Sequence, residues 1–387
     1  MTAKNPLSIF SYKRILLPVL LGVGVAGFLI WRDMQNDSTV LVNIIRTWTW
    51  QATAFLLLAV LFGIMRDLMY MYRIRLLSDK RLSWKQSFQV IMLWEFGSAI
   101  TPSVVGGSAL AFFIVSLEGI PVGRSTAIVM ITALLDELFY IVVTPLVILF
   151  VGFQNAFNTE FRFNLLGGEF GEFEIFLLGY GFMCLLTVFI LVAIFFFPKG
   201  FRTLLYKVAT WRLFRRLQDK VRKMGDDIVT SSQEFKHKGF IFWTKAYLCT
   251  VFSWTSRFLV LNCILLAFSP IGDQVLAFAR QLVMWVILCI SPTPGSSGVA
   301  ELTLPLFLGD FMKEGTHAAI ALLWRGFTYY PYLLLGFIVL PYWTKRVFKK
   351  NKQAKKRQLQ QPQKNLQLKK QQQKNKQKRN QNRKKKR

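Results

Sequence analysis

Residues 292–301 read Pro292-Thr-Pro-Gly-Ser-Ser-Gly-Val-Ala-Glu301 and stand in the middle of an apolar stretch, Val275–Gly309. Proline removes a backbone donor and glycine frees the chain, so Pro292, Pro294, Gly295 and Gly298 together interrupt any helix here. The stretch is too long for one ordinary membrane span and is broken at its centre. A second stretch, Phe88–Leu117, has the same character, with Gly97, Pro102, Gly106 and Gly107 inside it. Each reads as a helical hairpin that enters a membrane, turns and leaves, or as one span with an unwound centre.

Six uninterrupted apolar segments surround these two: Ile15–Trp31, Thr47–Met65, Thr126–Val151, Ile175–Phe197, Ile241–Phe268 and His317–Trp343. Each is about long enough to cross a ~30 Å hydrocarbon core as a helix. Composition agrees. Of 387 residues, 53% are hydrophobic and only 18% charged, yet the net charge is +29. Such apolarity and such charge must be segregated. Lys345–Arg387 holds 20 Lys/Arg and no acid. A polytopic membrane protein with a basic tail satisfies both numbers; a soluble enzyme or a secreted disulfide scaffold does not. Cys184, Cys249, Cys263 and Cys289 all fall in apolar runs and read as packing residues. Ile15–Trp31 lacks a small-residue cleavage site and reads as a retained first span.

Charge chooses between the two readings of the broken segments, because Lys/Arg-rich loops stay cytoplasmic. Arg66–Ser87 has six Lys/Arg and two acids, Pro198–Phe240 eleven and four, and Gly152–Glu174 one and four. If both broken segments are re-entrant, the basic loops, the N-terminus and the tail all lie inside and the acidic loop outside. Single crossings would put Pro198–Phe240 outside. The expected fold is therefore all-α and polytopic, with six transmembrane helices plus two re-entrant hairpins, over residues 1–343. Residues 344–387 form a Lys/Gln/Asn-rich tail too poor in apolar residues to fold.

The first hairpin then enters from the cytoplasm and the second from outside, in inverted orientation. Their turns match: Thr101-Pro102-x-x-x-Gly106 and Thr293-Pro294-x-x-x-Gly298. Paired, broken segments in two halves are the signature of an inverted-repeat transporter with its site between the breaks. Helix N-termini and hydroxyls at the turns (Thr101, Ser103, Ser108, Thr293, Ser296, Ser297) suit an anionic head group; the small residues equally allow tight helix packing. Ionisable residues inside spans are Glu95, Asp136, Glu137, Lys245, Arg257, Arg280, Glu301 and Arg325. Arg257 shares a face with Thr250 and Ser253, and Arg325 with Thr328 and Tyr329. Both arginines lie too deep to snorkel, whereas Lys245 and Arg280 are expected to do so. Arg257 and Arg325 either grip phosphate through their planar forks or pair with Asp136, Glu137 or Glu301. No nucleophile, metal-ligand or nucleotide motif accompanies them, so neither enzyme activity nor a cofactor is expected.

Within Pro198–Phe240, bulky apolar and basic residues interleave, as in a helix lying on an anionic leaflet, or one packed on the spans. The tail is expected to touch anionic lipid; a ribosome or nucleic acid is its other possible partner. A scaffold or insertion factor with such a tail, or a membrane-embedded transferase, are the competing function classes.

Ile100-Thr-Pro-Ser-Val-Val-Gly-Gly-Ser-Ala-Leu110 with Glu118-Gly-Ile-Pro-Val-Gly-Arg124 resembles the first signature of the lysylphosphatidylglycerol synthase transmembrane region, or flippase-like, family. Pro292–Glu301 resembles its second signature. Trp324-Arg-Gly-Phe-Thr-Tyr-Tyr-Pro-Tyr-Leu-Leu-Leu-Gly336 resembles its last-span pattern, and Asp136 matches its acidic position after the first hairpin. The resemblance implies a multi-pass protein of a bacterial or archaeal plasma membrane. It also implies lipid translocation, known for some members; the planar forks of the deep arginines make a phospholipid or polyprenyl-phosphate head group the expected ligand. Arg257, Arg325, Glu301, Asp136, Thr101, Pro102, Gly106, Thr293, Pro294 and Gly298 are the candidate site. Two departures matter. The basic tail stands where bifunctional members carry an aminoacyl-transferase domain, so lysyl transfer is not expected. Gly107-Ser108-Ala109 replaces a charged or amide residue found in many members.

Overall fold

The computed structural model describes Trp31 and residues 48–101, 103–157, 162–165, 168–210, 218–269, 272–289, 293 and 295–349. The segment Ile15–Trp31, apart from Trp31, and the tail from residue 350 lie outside the described residues, as do Pro102, Pro292 and Pro294. Two compact units divide at Phe337/Ile338. The first holds helices α1 (Trp50–Leu77), α2 (Trp84–Ile100), α3 (Ser103–Leu117), α4 (Val122–Val151), α6 (Glu172–Leu191), α7 (Pro198–Ala209) and α8 (Gln218–Lys236). A single turn, α5 (Phe153–Ala156), follows α4. The unit continues with α9 (Phe240–Phe268), α10 (Gln274–Leu288), α11 (Val299–Leu308) and α12 (His317–Thr328). Residues 330–337 are helical again, and in the second unit residues 338–349 are helical.

The protein is an integral membrane protein built of helices. Among the described residues four helices are long and apolar enough to cross a bilayer: α1, α4, α9 and Glu172–Phe196, in which α6 runs on into a π-helical turn. Their outer faces carry exposed leucine and phenylalanine, such as Leu57, Leu61, Leu149, Phe150, Leu177 and Leu185, while arginine and glutamate lie inside. That inversion is what a hydrocarbon solvent selects. One departure from all-α is a small antiparallel hairpin in the acidic loop, β1 (Arg162–Leu165) paired with β2 (Gly168–Gly171).

Both broken stretches fold as helix, break, helix, and in each the two arms pack together. α2 begins with a capping box, Ser83 accepting from Gln86 N–H at 3.3 Å and the Gln86 side chain accepting from Ser83 N–H at 3.0 Å. It ends at Thr101, in extended conformation before Pro102. With 17 and 15 residues, α2 and α3 reach only about 25 and 22 Å at 1.5 Å per residue. In the second stretch α10 has 15 residues and α11 only 10, or about 22 and 15 Å. The connection reverses through Gly295, Ser296 and Gly298, all at positive φ (+55°, +51°, +83°). Among L-residues that region is rarely occupied, which is why the segment is glycine-rich.

Two expected spans are revised. The segment Thr47–Met65 does not end at the basic loop: α1 runs to Leu77, and Arg66 and Arg73 are buried. The segment His317–Trp343 is broken at Tyr329 (φ −130°). The cause is Pro331, which has no N–H to donate to the Phe327 carbonyl four residues earlier. α12 alone is thus 12 residues.

α9 packs along α1, α8 packs on α7 and α4, and α4, α6 and α10 pack on one another. Gly123 of α4 allows the Asp227 backbone of α8 to approach; a Cβ there would meet it at 2.6 Å. The α8 part of the basic segment therefore packs on a spanning helix. α7 is amphipathic, with Leu204 exposed. At this end Arg124 pairs with Asp79 (2.5 Å) and Glu234, and Lys238 with Asp79 at 2.6 Å. Burial pushes the Asp79 carboxyl up, but Lys238 and Arg124 outweigh it and hold it below its ordinary value.

In the first hairpin a Cβ on Gly107 would lie 2.2 Å from Ser98 Oγ and 3.1 Å from its Cα, so Gly107 serves close packing of α3 on α2. Gly107→Val should lower thermal stability in detergent by the ~1–3 kcal/mol typical of overpacking. Gly63→Ala, with nothing within 4 Å, should leave the melting temperature unchanged.

Candidate functional site

The two breaks meet. The Tyr329 hydroxyl donates to the Ala99 carbonyl, beside the first break, at 3.1 Å and accepts from Ser297 Oγ, in the second, at 3.0 Å. A Cβ on Gly295 would come within 3.1 Å of the same Ala99 oxygen and 2.5 Å of the Tyr329 ring. The break at Tyr329 positions this ring, so three interrupted helices share one point.

Beside that point opens a cavity of about 570 Å³. Thr101 and Ser108 of the first hairpin and Thr293, Gly295 and Ser296 of the second line it, with Asp136, Arg257 and Arg325. Of the expected residues, Thr101, Asp136, Arg257, Thr293 and Arg325 line this one cavity. Glu301 and Gly298 stand behind the wall: Glu301 Oε2 accepts from Gly298 N–H at 2.7 Å, closing the α11 N-terminus. Gly106 falls in the first turn of α3; Pro102 and Pro294 lie outside the described residues.

Charges in this cavity are mostly held in pairs. Arg325 donates from Nε to Glu301 Oε1 at 2.8 Å and from Nη2 to the Gly295 carbonyl at 3.0 Å, and its guanidinium lies over the Tyr329 ring at 4.3 Å. Both members of the pair are buried. Arg325 therefore clamps the second hairpin, the structural alternative foreseen for it. Arg73 makes a two-point contact with Asp136 (2.6 and 3.1 Å) and donates to Thr250 Oγ1 at 2.7 Å. Trp254 Nε1 donates to the same carboxylate at 2.9 Å. Arg66 reaches Glu95 at 2.7 Å and Asp67 at 3.2 Å, and the Tyr332 hydroxyl donates to Asp67 at 3.0 Å.

Arg257 differs. Near the middle of α9, it has no hydrogen-bond or ion-pair partner among the described residues. Its guanidinium lies over the rings of Trp285, at 4.4 Å, and Trp254, at 5.3 Å. These ring contacts use none of its N–H donors in a hydrogen bond, and the residue lines the cavity. The Tyr140 hydroxyl, on the same cavity wall, is buried without a hydrogen-bond partner.

Sequence reasoning missed Arg66, Asp67 and Arg73 as interior charges, because hydropathy falls off at Arg66 and the stretch reads as a loop. Their spacing was the available signal: Arg66, Tyr70, Arg73 and Leu77 recur at helical intervals and all four are buried. The stripe Thr250/Ser253 was recognised, but it faces α1: Ser253 Oγ donates to the Arg66 carbonyl at 3.1 Å. Arg280 does not snorkel. It is buried and bonds Asp310 at 2.8 Å and the Asn155 carbonyl at 3.1 Å. Lys245 is exposed, and all four cysteines are free thiols. Among the described residues no cluster of His, Cys, Asp and Glu could hold a metal.

The comparisons agree with this architecture. The profile described as "Lysylphosphatidylglycerol synthase TM region" matches residues 19–336. A "UPF0104 membrane protein" of the archaeon Archaeoglobus fulgidus is 24% identical over 342 residues, which cover 84% of this chain and 96% of the relative. The chain belongs to the lysylphosphatidylglycerol synthase TM region family.

The Arg325–Glu301 assignment predicts a coupling. Arg325→Ala or Glu301→Gln alone should cost about 3–5 kcal/mol of stability, since each leaves a buried polar partner unmatched. The double variant should recover most of the loss, read as thermal unfolding and folded yield in detergent.

Proposed function

We propose that this member of the lysylphosphatidylglycerol synthase TM region family translocates a lipid, holding its anionic head group in the cavity between the two hairpin breaks. The lipid is a phospholipid or a polyprenyl phosphate, and it passes through chemically unaltered. The carrying observation is Arg257, a cation deep in a spanning helix that no carboxylate neutralises within 4.0 Å among the described residues. A permanent charge at that depth is costly unless function supplies its partner. Phosphate is the partner that fits a guanidinium whose N–H donors make no hydrogen bond among the described residues. The hydroxyls of Thr101, Ser108, Thr293 and Ser296 and the orphan hydroxyl of Tyr140 supply further polar contacts around it.

An inverted arrangement of the two hairpins would suit alternating access. In this reading both hairpins are re-entrant, the two termini and the basic segment Pro198–Phe240 face the cytoplasm of a bacterial or archaeal plasma membrane, and Gly152–Glu174 faces outward. The short arms of each hairpin, well under the ~30 Å core, favour re-entry over crossing. A single cysteine placed at Glu169, in a chain whose own four cysteines are replaced, should react with a membrane-impermeant maleimide from outside intact cells. Labelling solely after the cytoplasmic face is opened would reverse the topology.

Arg257→Gln removes a charge-assisted contact of about 1.5–3 kcal/mol, so affinity for an anionic lipid should fall roughly 10- to 150-fold. Thermal stability should change little, because no structural ion pair is lost. An Arg257→Gln protein that binds phosphatidylglycerol as the parent does would refute the assignment. Deleting Lys345–Arg387 should leave translocation intact, whereas a scaffold acting through its tail would lose its activity.

A further inference from the structure

Six charged side chains of the described residues line the cavity: Arg73, Glu95, Asp136, Glu137, Arg257 and Arg325. Four of them stand in ion pairs, with Asp136, Arg66, Arg73 and Glu301 as the respective partners of Arg73, Glu95, Asp136 and Arg325. The two left over, Arg257 and Glu137, carry opposite charges. Glu137 lies about 21 Å from the α4 end at Val151, counting 14 residues at 1.5 Å each. It is buried and accepts one hydrogen bond, from Thr187 Oγ1 to Oε2 at 2.8 Å.

The groups that face Glu137 supply no counter-charge. On its own helix are Asp136, held by Arg73 and Trp254, and Tyr140. α6 brings Thr187 and Cys184, and Cys289 follows α10. From α1 come Arg73, committed to Asp136, and Tyr70; from α9 comes Arg257, more than 4.0 Å away. α3 has no ionisable side chain, and α8 meets α4 at its Arg124 end.

We propose that Glu137 takes up a proton when the anionic head group binds, so that one proton accompanies one negative charge through the cavity. The inference rests on the reading of the cavity as an anion site. Its basis is like-charge repulsion. Arg66 is already shared by two carboxylates, Glu95 and Asp67, so the interior is not short of negative charge when Glu137 is ionised. An ionised Glu137 beside a bound phosphate would place two negative charges in a poorly screened space. Anion and proton therefore favour each other's binding by the same factor. In atoms, a proton from water adds to one Glu137 carboxylate oxygen on loading. It returns to water when the head group leaves on the other face, and Arg257 keeps its charge throughout.

The test is calorimetric titration of the purified full chain in detergent with short-chain phosphatidylglycerol, a phosphodiester whose charge is constant where carboxyls titrate. Phosphatidylcholine and phosphatidylethanolamine are the comparison lipids. Wild-type affinity for phosphatidylglycerol should fall as pH rises, approaching tenfold per pH unit, with about one proton taken up per lipid, read from the dependence of the heat on buffer ionisation. Glu137→Gln, which keeps the amide within reach of Thr187, should bind with the wild type's low-pH affinity at every pH. Wild-type binding that is indifferent to pH and takes up no proton overturns the inference while leaving the Arg257 anion site standing. So does an unchanged pH dependence in Glu137→Gln. A preference for phosphatidylethanolamine that Glu137→Gln abolishes, without proton uptake, also overturns it and makes the carboxylate an ammonium contact. Failure of phosphatidylglycerol to bind at any pH removes the anion reading, and this inference with it.

Discussion

A charge inside a hydrocarbon-surrounded bundle must find a partner, and the interior of this protein is organised by that demand. Arg66 with Glu95, Arg73 with Asp136 and Arg325 with Glu301 each join helices distant in sequence. The first pair ties α1 to the first hairpin, the second ties α1 to α4, and the third ties α12 to the second hairpin. Because a buried pair loses several kcal/mol when one member is removed, each of these contacts holds its two helices in one register.

The same demand applies to backbone. Helix interruptions at membrane depth leave N–H and C=O groups that lipid cannot satisfy. Here the interruptions are gathered at one place, where Tyr329 bridges Ala99 and Ser297, Arg325 holds the Gly295 carbonyl, and Glu301 closes the α11 N-terminus. Gathering them leaves hydroxyls and charged side chains in the wall of an otherwise apolar cavity. The proposed head-group site and backbone satisfaction thus share one structural solution, and it explains why glycine sits at 295, where any side chain would strike the Tyr329 ring.

Much of this was legible in the sequence. The Gly/Pro interruptions in two long apolar stretches gave the hairpins, their matched Thr-Pro-x-x-x-Gly turns gave the pairing, and the deep ionisable residues gave most of the cavity's charged lining. Hydropathy failed where helices carry inward-facing arginine, as α1 does beyond Met65, since a sliding average counts Arg66 and Arg73 as loop. It also failed at Tyr329, where a single proline two residues on breaks an otherwise continuous apolar run. Which arginine is free was not legible at all. Arg257 and Arg325 look equivalent in one dimension, and only the fold brings Glu301 to one and Trp285 to the other.

The central claim is that the open charge of Arg257 marks a head-group site. Cryo-electron microscopy of the full chain in nanodiscs of phosphatidylglycerol tests it directly. The account predicts density for a phosphate in contact with the Arg257 guanidinium, between Thr101 of the first hairpin and Thr293 of the second, with acyl chains leading out between helices. A cavity holding water alone beside Arg257, or a carboxylate of the protein itself swung in to pair with it, would contradict the account.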